Sequence, residues 1–385
     1  MMKIDAHVHY TPPSLRARLD TLADSEPYWH LLLNPPNGRS IQGWVTAETM
    51  LRDMDEAGLE RVVLVGEYFR QHNNCVQRNN QAIEIVRRWP DRVLALAVIQ
   101  PHAGQAALDE LDRCLDNGLV GMGELNPYAQ GFGLGDPAFL RLAERCIERD
   151  VPMNLHVSEE IGGYYLGKST TPLRHYYELA GRLPDLKLIL AHWGGGLFFY
   201  EMMPRVRRQL RNVWYDTAAT PLLYPVDTIF ATALTCLDPR KLLHGSDYPL
   251  LIYPRTMAEA SFQPFLAAMA ELPLTDEVRA DIMGRNTARL FGLLNDGVDY
   301  RAEIKPLPPE KRPFIPLTPI MSLRAVVETW PETEPIFARH HLPTRDQIAP
   351  TWEPILQTAV AHGLTRAQQA ALLEALNAVL FSGDG

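Results

Sequence analysis

The sequence predicts a (β/α)8 TIM barrel with an appended small all-α C-terminal domain, on three observations. Short β-rich apolar runs recur eight times with helical patterns between them. Several of those runs, such as Val62-Val63-Leu64-Val65 and Leu188-Ile189-Leu190, are nearly continuous in branched residues, as strands buried on both faces of a parallel sheet are. A proline-dense break then separates this alternation from a stretch with helical patterns only. At 385 residues the chain accommodates one barrel of about 250 residues or more plus a small module.

Taken in order, Lys3–Tyr10 is the first predicted strand. Residues 11–46 break the alternation with five prolines (Pro12, Pro13, Pro27, Pro35 and Pro36) and with Tyr28, Trp29 and Trp44. They read as an insertion, either a lid over the barrel mouth or loose surface. The following strands are expected at Arg61–Glu67, Val93–Gln100, Val120–Asn126, Pro152–Ser158, Leu186–Trp193, Val213–Ala218 and Leu242–Tyr248. Helices are expected between them at Ala47–Ala57, Asn79–Trp89, Gly104–Asn117, Pro137–Arg149, Pro172–Arg182, Glu201–Gln209 and Val226–Cys236. Asp276–Leu294 closes the barrel, with Thr275 as its N-cap and two acidic residues in its first turn. The barrel thus spans 1–298.

Residues 299–319 carry six prolines between Pro306 and Pro319, which exclude helix and interior strand and predict an extended linker. Residues 320–385 read as short helices at Ser322–Thr329, Glu332–His340, Trp352–His362 and Thr365–Leu380, forming a packing or dimerisation module. The last has a capping box, Thr365 with Gln368, and an apolar stripe of Leu372, Leu376, Val379 and Leu380.

The composition excludes several function classes. A net charge of −9 and 46% hydrophobic residues oppose disorder and a general nucleic-acid or anionic-membrane binder. The four cysteines are widely spaced with no C-x-x-C pair, so they read as reduced thiols rather than a disulfide framework. No run reaches the ~18 apolar residues of a membrane span. Met-Met-Lys leads straight into Ile4-Asp5-Ala6-His7, leaving no signal-peptide apolar region. The expectation is a cytoplasmic protein acting on a small molecule, with no nucleic-acid or membrane partner, and assembling as a homodimer.

Chemistry is concentrated at the predicted strand ends. His7 and His9 stand at i and i+2 on the first strand and so share a face. Glu124 ends the fourth strand, His156 lies in the fifth, His192 ends the sixth and Asp247 the eighth. Barrel enzymes build their sites at this rim. Imidazoles and carboxylates converging there suit a divalent ion, Zn²⁺ first, with Mn²⁺, Fe²⁺ or Co²⁺ tolerated. Tyr68, Arg70, Tyr128, Trp193 and Arg255 follow strand ends and are candidate substrate contacts, the arginines as bidentate carboxylate clamps.

Asp5-Ala6-His7-Val8-His9, Asn154-Leu155-His156, Ala191-His192-Trp193-Gly194-Gly195-Gly196 and His244-Gly245-Ser246-Asp247-Tyr248-Pro249 resemble motifs of the amidohydrolase superfamily. The resemblance is to the TIM-barrel metal-dependent hydrolase branch that also holds aminocarboxymuconate-semialdehyde-type decarboxylases. It spans residues 3 to about 293 and includes Gly284–Phe291 as a closing helix. It implies His7, His9, His156 and Asp247 as metal ligands and His192 as the group that polarises or protonates substrate. Glu124 would complete a second metal site, contact substrate or anchor a turn; one ion is expected, two being the alternative. The implied activity is hydrolysis of a lactone, amide or ester, with Asp247 as general base to a metal-activated water and His192 stabilising the oxyanion. Decarboxylation of an aromatic or unsaturated acid is the alternative reading, and a retired barrel serving as a scaffold is a third.

Overall fold

The computed structural model describes residues 2–36, 40–299, 301, 316–343 and 353–381. It divides into two compact units, residues 1–307 and 308–385.

In the first unit eight strands are observed: β1 (Ile4–Val8), β2 (Arg61–Leu64), β3 (Val93–Ala95), β4 (Met122–Leu125), β5 (Met153–Leu155), β6 (Leu188–Leu190), β7 (Val213–Asp216) and β8 (Leu242–Leu243). All paired neighbours are parallel, in the runs β1-β2-β3 and β4 through β8. Parallel bridges Ala97↔Met122 and Val8↔Tyr248 close the two seams, so the sheet is a barrel. Each strand is buried almost throughout, which is why the runs read as continuously apolar.

Helices alternate with the strands, and Ala47–Ala57 and Val226–Cys236 have the expected bounds. The first of these starts at Thr46, whose side chain accepts from the Thr49 backbone, and buries Ala47, Met50, Met54 and Ala57 against the barrel. The helix expected at Asn79–Trp89 starts earlier and runs His72–Arg88. Its N-terminus is tied by Glu26 of the insertion, which accepts from the Arg70 and Gln71 amides at 2.6 and 2.9 Å and from the Asn74 side chain at 2.8 Å. A buried carboxylate there meets the positive end of the helix and its unpaired N–H groups.

The closing helix is not continuous. It is α-helical over Asp276–Ala280, π-helical over Asp281–Arg285 and α-helical again over Asn286–Leu290. The widened turn brings the Ile282 carbonyl to the His244 amide at 3.0 Å and Gly284 against the Met2 backbone, where a Cβ would lie 2.5 Å from an oxygen. Asn286 then donates to the Pro239 and Leu242 carbonyls, fastening the helix to β8.

The insertion forms short helices at Pro13–Arg16, Leu19–Leu22 and Pro27–Leu33. It returns to the barrel through a bridge between Gln42 and Leu250, beyond β8. Residues 37–39 of the insertion lie outside the described residues, as does most of the expected linker at 299–319.

The second unit has its own core, built on Leu323, Val326, Val327, Ile336, Phe337, Leu372 and Leu376. Its helices are Leu323–Thr329, Glu334–Arg339, Ile355–Ala361 and Arg366–Phe381, the first three short as expected and the last, at 16 residues, longer than the short helix expected. Trp352, placed at the start of the third by the sequence, falls outside the described residues. Among the described residues no helix is long and apolar enough to cross a membrane.

Candidate active site at the barrel rim

Six polar side chains come together at the C-terminal ends of the strands. His7 lies within β1 and His9 one residue beyond it; Glu124 lies within β4. His156 follows β5, His192 follows β6 and Asp247 follows β8. The last two turn inward through backbone that L-residues rarely adopt, with φ of 56° at His192 and 68° at Asp247. Such conformations persist where surrounding structure holds them, and they cluster at functional sites. Past His192 the chain stays left-handed through Gly196. Glycine is required at Gly195, where a Cβ would lie 2.4 Å from the Ser158 carbonyl.

His7 Nε2 lies 3.4 Å from His9 Nε2, and Asp247 Oδ1 is 3.3 Å from the second nitrogen and 3.8 Å from the first. Glu124 Oε2 stands 3.6 and 3.7 Å from the same two nitrogens. A four-coordinate ion with bonds of about 2.1 Å needs donor–donor edges of about 3.4 Å. The spacing and the mixed imidazole–carboxylate chemistry therefore fit a divalent ion. His156 stands on the other oxygen of Glu124, its Nδ1 2.8 Å from Oε1, and His192 Nε2 is 3.5 Å from that oxygen. Three overlapping donor groups result: His7–His9–Glu124, His7–His192–Asp247 and Glu124–His156–His192. Glu124 thus faces all four histidines, a more central position than a turn anchor.

The electrostatics are those of a cluster that holds cationic charge. Burial alone would lower the His7 imidazole, but the Asp216 and Glu124 carboxylates outweigh it and raise it to about 10. His192 is lowered by burial and raised by its hydrogen bond to Glu124 and the Asp247 charge, reaching about 9. Burial would push Glu124 up, yet His156 and His7 hold it well below the usual carboxylate range. Asp247 is held down in the same way, mainly by His9 and His7. A cation bound among these groups displaces protons that the imidazoles otherwise keep.

Asp216, at the end of β7, was not among the sequence candidates. It is fully buried, accepts from His7 Nδ1 at 2.9 Å through one oxygen and from the His192 and Ala218 amides at 3.0 and 3.1 Å through the other. It fixes which His7 nitrogen faces the centre, the part a supporting carboxylate plays behind a metal-ligating histidine.

Above the cluster opens a cavity of about 750 Å³, lined at its floor by His9, Glu124, His156, His192 and Asp247. Tyr68 reaches its wall, its ring 5.6 Å from that of His156. The other expected substrate contacts do not. Trp193 is buried and donates to Thr220, Tyr128 packs edge-on to Tyr28 outside the cavity, and Arg70 and Arg255 are exposed away from the wall. Their places three to twelve residues past strand ends bring them near the rim, but Trp193 turns into the packing and the loops carry Tyr128, Arg70 and Arg255 outward. The insertion supplies the wall instead, through Trp29, Leu32, Leu33, Pro35, Ser40, Ile41 and Gln42.

The amidohydrolase family profile matches residues 4–293. The chain belongs to this family. A curated relative, the 2-amino-3-carboxymuconate-6-semialdehyde decarboxylase of Dictyostelium discoideum, is 22% identical over 247 residues, 56% of this chain and 65% of the relative. The match therefore spans just under two thirds of that relative's length. Among solved structures, a 5-carboxyvanillate decarboxylase of Novosphingobium aromaticivorans with manganese and a nitrobenzoic acid superposes with a TM-score of 0.61 at 14% identity, over 76% of this chain and 96% of its own. The 2,6-dihydroxybenzoate decarboxylase from Rhizobium gives 0.54 at 20% identity, over 76% and 99%. A dihydroxybenzoic acid decarboxylase of Polaromonas sp. JS666 with manganese and 2-nitroresorcinol gives 0.57 at 19%, over 77% and 98%. At these identities the superpositions establish the shared fold. The named activities correct the expectation of hydrolysis: the curated relative and these three structures are decarboxylases, so the alternative reading of the site stands ahead of the first.

Proposed function

We propose that this protein is a metal-dependent decarboxylase of a carboxylic acid borne on an aromatic or unsaturated carbon. The observation that carries it is the donor cluster at the floor of a large cavity, with His192 beside it, in a barrel whose relatives named above decarboxylate such acids.

His7, His9, Asp247 and Glu124 would hold the ion; His156, expected as a ligand, instead stands across Glu124 with its Nδ1 on the other carboxylate oxygen. Manganese is the ion named in two of those relatives, and the mixed imidazole–carboxylate donor set tolerates it, though such donors hold the zinc first expected more tightly. When bound, the ion supplies positive charge that anchors and orients the substrate carboxylate and a neighbouring ring oxygen. Asp216 keeps the His7 ring aligned for this. His192 Nδ1 donates to the Ala218 carbonyl at 3.2 Å, which leaves Nε2, 3.5 Å from Glu124 Oε1, as the proton donor facing the centre. Asp247, 4.0 Å from that imidazole, stabilises its protonated form. The Nε2 proton passes to the carbon that bears the carboxylate. The carbon–carbon bond then breaks, carbon dioxide leaves, and the bonding pair restores the conjugated system, so a proton replaces the carboxyl group.

The test is to load the purified protein with Mn²⁺ and supply a panel of hydroxybenzoic and unsaturated acids, scoring carbon dioxide release. Release that stops on chelation is expected. Absence of release from every acid, with opening of lactones or esters instead, overturns the reading.

A further inference from the structure

The cavity is far larger, and its upper walls far more apolar, than a ring with a few hydroxyl groups requires. Its 750 Å³ lies high in the ~300–1,000 Å³ range of pockets that enclose drug-sized ligands. The cluster groups that reach it, His9, Glu124, His156, His192 and Asp247, are at its floor. Above them the walls are built by two segments: the insertion, through Trp29, Leu33 and Ile41, and the loop after β5, through Ile161 and Leu166; Leu222 closes a third side. Trp29 and Leu33 are buried, so this surface is held in place by packing; Trp29 meets Phe69 edge-on at 5.0 Å. Ile161, by contrast, is 87% exposed at the rim, an apolar side chain left in water beside an apolar cavity.

Among the described residues, the charged groups on these walls are already engaged. Glu67 is ion-paired with Arg78, and Glu159 with Lys168 at 3.1 Å. Gln42 commits its amide N–H groups to Thr11 and the Gly43 carbonyl. A second carboxylate on the far side of the substrate would meet no lysine or arginine among the described lining residues, and the polar groups left there are the few hydroxyls of Ser40, Tyr68, Tyr165 and Tyr224. An apolar group placed there would bury surface at both ends.

We propose that the acid taken by this site carries an extended apolar substituent, an alkyl chain or second ring, that fills the space between the insertion and the loop after β5. The inference rests on the decarboxylase reading for the fate of the carboxylate, but the apolar subsite can be measured apart from turnover.

Two matched series separate them. The Mn²⁺-loaded protein is titrated calorimetrically with unreactive 5-alkylresorcinols from methyl to heptyl, and carbon dioxide release is followed from the corresponding 4-alkyl-2,6-dihydroxybenzoates beside 2,6-dihydroxybenzoate itself. Each buried methylene is expected to tighten binding about fourfold until the walls are filled. In Ile161→Asp, on an exposed loop that tolerates a charge, the heptyl ligand should bind about tenfold more weakly and the methyl ligand should change less. Leu222→Asp, on a different wall, serves as a second variant with the same expectation. A dissociation constant that is flat or rises along the series overturns the inference. If 2,6-dihydroxybenzoate nevertheless releases carbon dioxide, the decarboxylase reading survives that failure. Tightening along the resorcinol series with no carbon dioxide from any acid does the reverse, leaving the apolar subsite and removing the reaction.

Discussion

Two carboxylates organise the centre from opposite sides. Glu124 stands between the paired imidazoles, and Asp216 stands behind His7 and beneath His192. Replacing Asp216 by Asn keeps the shape but removes the charge that holds the His7 proton at Nδ1. Metal affinity should fall about 10–100-fold, as loss of a carboxylate supporting a ligating histidine does, with the fold retained. Competition against a fluorescent chelator measures this, and unchanged affinity would remove Asp216 from the positioning role. His192→Asn should lower kcat by about 10²–10⁴-fold, the span of general acid catalysis, with metal content checked by mass spectrometry. Near-normal turnover in the metal-loaded variant would reassign the proton donor. His7, His9, His156, His192 and Asp247 were legible in the sequence because each sits in a short motif beside an unmistakable β-run. Asp216 was not, because Val213-Trp214-Tyr215-Asp216 carries no pattern beyond a strand and its end; only the β7–β1 geometry across the barrel brings the carboxylate to His7.

At the scale of elements, the strand centres were legible and their ends were not. The apolar runs continue past the ladders, so β1 stops at Val8 and β6 at Leu190, and the residues beyond them turn inward to present His9 and His192. That turning is a tertiary demand, met at His192 by left-handed backbone that composition does not encode. The glycines after β6 give a test. Gly195→Ala places a Cβ against the Ser158 carbonyl at φ 58°, whereas Gly196→Ala, at φ 92°, meets nothing within 4 Å. Conformation alone costs about 1–2 kcal/mol for an L-residue in the left-handed region. Urea unfolding should therefore show Gly196→Ala near that loss and Gly195→Ala clearly beyond it; equal losses would mean that Ser158 yields freely. The π-helical turn of the closing helix was equally invisible, since it answers to the Met2 and His244 backbones. Past that helix, Arg289 binds Asp296 and Asp281, and its hydrogen bonds lower the Asp296 carboxyl to about 2. A carboxyl lowered in the fold binds more protons when unfolded, so its stabilisation is present above the ordinary value near 3.8 and lost as pH falls from there to about 2. Asp296→Asn should reduce stability at pH 6 and converge with the native protein only as pH falls through about 2, and urea midpoints from pH 6 down to that value test the sign. As an exposed pair its contribution is small.

At the scale of the whole molecule, two units each carry a hydrophobic core of their own, and the donor cluster belongs wholly to the first. Anything that binds only the folded barrel stabilises it by mass action, about 2.7 kcal/mol at a hundredfold excess over Kd. Mn²⁺ should therefore raise an unfolding transition that belongs to the barrel and leave that of residues 308–385 in place. The converse handle is Phe337, fully buried at the centre of the second core. Phe337→Ala costs about 3–5 kcal/mol in a packed interior, and in so small a unit that is a fall of more than about 10 °C in its midpoint. Scanning calorimetry of the full-length protein, native and Phe337→Ala, each with and without Mn²⁺, separates the two effects. The metal should move one transition and the substitution the other, with metal affinity unchanged by the substitution. A single transition that responds equally to both would mean that the barrel and the helical unit unfold as one cooperative body, and that the separate cores do not confer separate stabilities.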